Sequence, residues 1–371
     1  MCAKMDMLQR SREDFFEHID SKDFKTIIAY RDRINDFERF CEIKFENIDI
    51  IDKFQDKEDQ LDVFQRYVNW TTKKVSEYTG RAKSPSTVWN YAASIRKYTY
   101  YRGWQIAKGD LSDLVELPKK HEKELHGLKL PDIHVILGAL SFADRLLHSF
   151  DAVSGTRIGE SVQLRKKHFS LLDDRIMLKI PSTVAKFRRA RTTFVTKEVG
   201  VMLMARLKRI DDNDLVFGTR MFDEKNTREE IHRAVHSSET TKEDNLRRVL
   251  DKVGLGMRYD DTGRYKINTH SFRSWFITKM SRHDPNLTKL LAGEKGYLLQ
   301  YDRLSDEEKL IEYKQFESSL ILDDSARKQA ELDKVTREKS DLEAKNEELK
   351  IALKKVDELW MDKQRMELVQ K

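Results

Sequence analysis

The 371-residue chain has only two cysteines, Cys2 and Cys41, five prolines and fourteen glycines. Two cysteines cannot build a disulfide framework, and neither has partners at metal-ligand spacing, which fits a reducing compartment. The longest apolar run, near "VILGALSFA", falls far short of the roughly 20 residues that a bilayer-spanning helix needs. The opening stretch "MCAKMDMLQRSRED" has no apolar core suited to a signal peptide. These absences predict a soluble, cytoplasmic protein without a membrane partner. There is no glycine-rich phosphate loop and no metal-binding motif, so no cofactor and no metal are expected. Charged residues make up 36% of the chain and hydrophobic ones 39%. With so little Gly and Pro, that balance predicts a mostly helical protein, long enough for roughly two to three domains. The formal net charge of +6 permits nucleic-acid binding without demanding it.

Residues 1–118 read as a helical domain. In "KTIIAYRDRINDFERFCE" the apolar residues Ile27, Tyr30, Ile34, Phe37 and Cys41 recur at three- and four-residue steps, one buried stripe with Arg31, Arg33 and Arg39 elsewhere on the cylinder. A second helix is predicted over "SPSTVWNYAASIRKYTYYRGW". Ser84 caps it, Pro85 suits its first turn and Gly103 stops it. Val88, Tyr91, Ile95 and Tyr98 or Thr99 would face the core.

Residues 119–128 form a basic linker within "ELPKKHEKELHGLKL". Residues 129–322 have mixed character. Around "RIMLKIPSTVAKFRRARTTFVT" the alternation of Ile176, Leu178 and Ile180 and the run Thr192–Val195 predict two strands joined by an intensely basic connection. Residues 323–371 change again. They lack Gly and Pro, and heptad positions a (Leu332, Lys339, Asn346, Leu353, Trp360) and d (Val335, Leu342, Leu349, Val356) predict a long coiled-coil helix. That tail is nearly neutral, so the positive charge is concentrated in the first two domains.

Two arginines stand out, Arg157 in "SGTRIGES" and Arg273 in "THSFRSWF". Each sits in a helix-like stretch on the polar side of an apolar surround. They are either plain surface residues or a pair of guanidinium groups brought around one phosphate. Between and beside them lie Glu160, the hairpin residue Lys186 and His270. Tyrosines follow in "LLAGEKGYLLQYDR". An H-x-x-R pair by itself occurs in many helices by chance, but four such elements in this order are far more specific. Together they resemble the tyrosine recombinase (phage integrase) family, with archaeal integrases closest in appearance, over roughly residues 20–320. "STVWNYAASIRKYTYYRG" is similar to part of that family's helical core-binding domain.

The resemblance implies a mainly α fold with a small β-sheet or hairpin: a helical core-binding domain, an α+β catalytic domain and a C-terminal long helix. It implies a site-specific recombinase that breaks and rejoins double-stranded DNA through a 3′-phosphotyrosyl intermediate, working as a homo-oligomer (paired dimers or a tetramer). Arg157 and Arg273 would neutralise the non-bridging phosphate oxygens as charge builds in the transition state. Lys186 would protonate the 5′-oxygen, and His270 would contact the phosphate and take the proton of the nucleophile. Glu160 would orient an arginine. Among the tyrosines Tyr301 is the expected nucleophile, with Tyr297 as packing and Tyr313 as a possible core residue. Glu294 stands where the family usually has His or Trp. A carboxylate there would repel the scissile phosphate, which leaves Lys295 to make the contact. That departure keeps open a catalytically impaired DNA-binding protein of architectural or regulatory role. A type IB topoisomerase, with a similar site, is the mechanistic rival.

Overall fold

The computed structural model describes residues 10–77, 79–120, 125–223, 225–294 and 303–323, together with residues 328, 332, 335–336, 339–340, 342–353 and 355 of the tail. The chain forms two compact units. One contains Met1–His126, Arg220–Ser237 and Gly256–Lys266; the other contains Gly127–Thr219, Ser238–Leu255 and Ile267–Lys371.

The first unit carries α1 (Arg12–His18), α2 (Phe24–Phe45), α3 (Lys57–Lys73), α4 (Pro85–Tyr101) and the short α5 (Asp110–Asp113). The stripe predicted on α2 is inside: Ile27, Ile34, Phe37 and Cys41 are buried, and Phe40 joins them. The Ser84 side chain caps α4 and Pro85 occupies its first turn. Val88, Ile95, Tyr98 and Thr99 are buried, whereas Tyr91 is half-buried beneath the cations of Lys83 and Arg33. The core between the helices is aromatic, with Phe37 and Tyr67 packed edge-to-face at 5.0 Å between ring centroids. Each such ring contributes about 1.5–3 kcal/mol by leaving water. Trp104 is buried there, and its indole N–H donates to the carbonyl of Ile51 at 3.1 Å, so no polar atom of the ring is stranded.

The second unit is built around α7 (Phe142–Ser154), whose residues from Leu146 to Ser154 are all buried. Around it lie α6 (Leu130–Ala139), α8 (Ile158–Ser161), α9 (Lys197–Leu207), α10 (Arg228–Lys252, of which residues from 238 on belong here), α11 (Thr269–Met280), α12 (Pro285–Ala292) and α13 (Asp306–Phe316). The predicted strands are present as β2 (Arg175–Ile180) and β3 (Arg191–Val195), antiparallel with Ile176 opposite Val195 and Ile180 opposite Arg191. A third strand, β1 (Phe169–Leu172), pairs with β2 and completes the sheet order β1-β2-β3. The sequence expectation of two strands missed it because "FSLL" has no alternation; it is an edge strand with its middle residues exposed. Among the described residues the architecture is mainly helical with one small antiparallel sheet.

In the tail, residues 342–353 are helical, and Leu332, Val335, Leu342, Leu349 and Leu353 are each about 60% exposed. Among the described residues no helix is long and apolar enough to cross a membrane.

Candidate active site

The site begins where α7 ends. Gly155 terminates that helix in the left-handed region, φ 67°, and a Cβ there would fall 2.3 Å from the Phe276 ring. Only glycine satisfies both demands. Below the turn, the hydroxyls of Thr156 and Ser161 donate to one oxygen of the buried Asp151, at 2.7 and 2.6 Å. The chain therefore leaves α7 on a fixed path and enters α8 with Arg157 as its N-cap, in extended conformation at φ −89°, ψ 142°. This corrects the helix-like placement expected from the sequence: the left-handed glycine breaks the helix before Arg157 is reached.

Glu160, 2% exposed, organises the next layer. Its carboxylate accepts from the Arg157 backbone N–H at 3.1 Å and guanidinium at 3.2 Å, from Arg191 at 2.6 and 3.2 Å, and from the Lys186 backbone N–H at 3.2 Å. Burial would raise its pKa. The Arg191 guanidinium and the two backbone donors outweigh burial and hold it at about 2. Glu160 thus accepts from both the backbone and the guanidinium of Arg157. It also ties the basic connection to the same point.

The C-terminus of α12 supplies the other wall. The Leu291 carbonyl accepts from Arg191 at 3.0 Å, that of Ala292 from Arg273 at 2.8 Å and from Arg157 at 3.4 Å, and that of Gly293 from Arg157 at 3.3 Å. These are the orphan carbonyls of a helix end, which carry partial negative charge and suit cations. Arg273 is 1% exposed, the opposite of a surface residue. It also donates to the Gly155 carbonyl and to Glu294. Burial first, then repulsion from Arg157 and Arg191, lower its pKa to about 10, with Glu294 opposing. Its Nε has no hydrogen-bond partner among the described residues.

His270 stands in the first turn of α11 on its exposed side. Desolvation, with the positive charges of Arg273 and Arg157, holds its pKa below the ordinary imidazole value. The ring is then neutral at neutral pH, and the lone pair of one ring nitrogen can accept a proton. Lys186 lies exposed on the connection between β2 and β3. Its Nζ is 5.9 Å and the Arg157 guanidinium 5.4 Å from the centre of the Phe187 ring. Arg157, Lys186, Glu160, His270 and Arg273 are therefore one group, and Glu294 belongs to it. Tyr301, Tyr297 and Lys295 lie outside the described residues. Tyr313 is fully buried on α13, with its hydroxyl donating to the Val153 carbonyl at 3.0 Å and burial raising its pKa well above 10. The sequence alone gave no role to Arg191 or to Asp151. The signal available for Arg191 was its place at the start of β3, beside the basic connection. Among the described residues no cluster of three or more His, Cys, Asp or Glu could hold a metal ion.

No family model matches the chain, and no curated protein matches it in sequence. Solved structures do match. One is the XerH site-specific recombinase bound to a palindromic difH substrate in a post-cleavage complex: 17% identity, TM-score 0.51, covering 82% of this chain and 81% of that one. A lambda integrase dimer bound to a COC′ core site matches at 13% identity and TM-score 0.51, covering 79% of each chain. The Tn1549 transposon integrase in complex with circular intermediate DNA matches at 12% identity and TM-score 0.51, covering 81% of this chain and 96% of that one. At such identities the likeness speaks to architecture rather than chemistry. This chain has the fold of the tyrosine recombinases and integrases.

Proposed function

We propose that the protein is a site-specific recombinase of double-stranded DNA that breaks and rejoins strands through a 3′-phosphotyrosyl intermediate. One observation carries the reading: a terminal guanidinium nitrogen of Arg157 and one of Arg273 point at the same oxygen, Oε1 of Glu294. Two guanidinium forks, charged at neutral pH and aimed at one anionic oxygen, suit a phosphodiester passing through a pentacoordinate transition state. In the proposed step the Tyr301 oxygen attacks phosphorus and its proton passes to neutral His270. The bond from phosphorus to the 5′-oxygen breaks, and Lys186 gives that oxygen its proton. The phosphotyrosyl bond conserves the energy needed for rejoining, so neither ATP nor a metal is needed for the transfer. The lambda integrase likeness is to a dimer on DNA, and this protein is proposed to act likewise as a homo-oligomer.

A second reading, a catalytically impaired DNA-binding protein, is favoured by the carboxylate of Glu294 at the same point. A nicked suicide duplex separates the two readings, because only an active enzyme becomes covalently attached. The wild type should form the adduct, and peptide mapping should place it on Tyr301. Tyr301→Phe should bind DNA without forming it, while Tyr313→Phe and Tyr297→Phe should retain trapping. Arg157→Ala and Arg273→Ala should each slow cleavage by a barrier increase of about 3 kcal/mol or more, at little cost in binding. A wild type that never forms the adduct while binding the duplex would move the assignment to the second reading.

A further inference from the structure

Glu294 is the first residue beyond the α12 cap, and its side chain is 42% exposed. Among the described residues, the other acceptors around Arg157 and Arg273 are built in: Glu160 is buried, and the rest are backbone carbonyls of Gly155, Ala292 and Gly293. Glu294 alone among these acceptors is both anionic and solvent-facing. It joins the two arginines through one oxygen, with Arg157 at 3.3 Å and the almost fully buried Arg273 closer still. A phosphodiester carries the same single negative charge as this carboxylate. Exchange of one for the other leaves the charge of the site unchanged. Simultaneous occupancy would bring two anions to about 4 Å, a repulsion of about 4 kcal/mol at the dielectric of a protein surface.

We propose that Glu294 is the resident counter-anion of the phosphate site, holding Arg157 and Arg273 together until a phosphate oxygen takes its place. The proposal rests on reading the two arginines as a phosphodiester site. Its consequence is competition: every phosphate that enters displaces Glu294, so the apparent affinity of the site for small anions is lowered by its own carboxylate. The side chain screens the mutual repulsion of the guanidinium groups in the empty site, and its exposure lets it swing into solvent when a substrate arrives.

The test is a 31P NMR titration of the full-length protein with inorganic phosphate at fixed ionic strength. Glu294→Gln keeps the shape and removes the charge, and Glu294→Ala removes both. Each should bind phosphate at least about tenfold more tightly than the wild type. A site-resolved measurement accompanies it: phosphate should protect Arg157 from phenylglyoxal, read by mass spectrometry, at correspondingly lower concentration in both variants. Unchanged or weaker affinity in both variants overturns the proposal, as does tighter binding that leaves Arg157 unprotected. Covalent trapping on the nicked duplex separates this from the function proposed above. Tighter, Arg157-protecting phosphate binding with no DNA adduct in any variant would keep the counter-anion and remove the recombinase. An adduct in the wild type with phosphate affinity insensitive to Glu294 would do the reverse.

Discussion

Two buried carboxyl groups one layer apart are driven in opposite directions. Glu160 is held at about 2 by Arg191 and by backbone donors. Asp151 is raised to about 7 by burial, and the hydroxyls of Ser161 and Thr156 offset only part of that. Its second oxygen has no partner among the described residues, which costs a neutral carboxyl less than it would a carboxylate. Because the folded pKa lies above the ordinary 3.8, the folded state binds a proton that the unfolded chain releases. Stability is therefore full below about pH 4, falls as pH rises toward 7, and is level above that. Glu160 is ionised in both states over the upper part of this range and adds no slope there. Asp151→Asn, neutral at every pH, should gain about 2–3 kcal/mol on the wild type between pH 5 and pH 8. Thermal unfolding at the two pH values measures it, and the fixed cost of an unpaired amide cancels in the comparison. A constant gap would mean that Asp151 does not titrate there. Lys186 calls for a kinetic test. Lys186→Ala should slow cleavage of ordinary DNA yet spare a 5′-bridging phosphorothiolate, whose sulfur leaves without a proton. Equal defects would take Lys186 out of the acid role. Arg157, Arg273 and His270 were legible as candidates from their order along the chain. Arg191 and Asp151 were not, because partnership with Glu160 or with a pair of hydroxyls leaves no local pattern.

At the scale of elements, the end of one helix and the cap of another make the site. Gly155 lets α7 stop and the chain run extended through Arg157, and its carbonyl receives Arg273. Gly155→Ala should destabilise the protein by about 2–5 kcal/mol, combining the strain of a left-handed residue with overpacking against Phe276. Denaturant unfolding gives the loss. The double variant with Phe276→Ala should lose less than the sum of the two single changes, since the ring is the obstacle. Additive losses would place the cost in the backbone alone. The helix signals were plain in the sequence where side chains act on their own backbone, as at Ser84 and Pro85 of α4. The edge strand β1 was not, because its stability comes from pairing Phe169 with Leu178 and Leu171 with Ile176 rather than from its own composition.

For the whole molecule, the tail carries exposed leucines at heptad spacing and the preceding residues carry the basic excess, so the proposed function expects assembly and DNA binding to lie in different segments. Deletion of residues 325–371 should leave affinity for a single DNA site within about twofold, since on the proposed function phosphate contacts elsewhere would supply it. The same deletion should reduce the sedimenting mass of complexes on paired sites, as the a and d positions would bury their apolar faces against a second copy. A truncated chain that assembles like the full-length one would assign those leucines to another purpose. What the sequence determined alone was whatever acts over a few residues: helix periodicity, caps, the heptad pattern of the tail, the sign of charge and the order of candidate residues. Tertiary structure decided which of those groups meet. Arg157 and Glu294 are 137 positions apart, and Arg157 and Ala292 are 135. Their meeting depends on a left-handed turn after α7 and on the direction in which α12 ends. Spacing along the chain carries no record of either, because both follow from how the helices pack in the core.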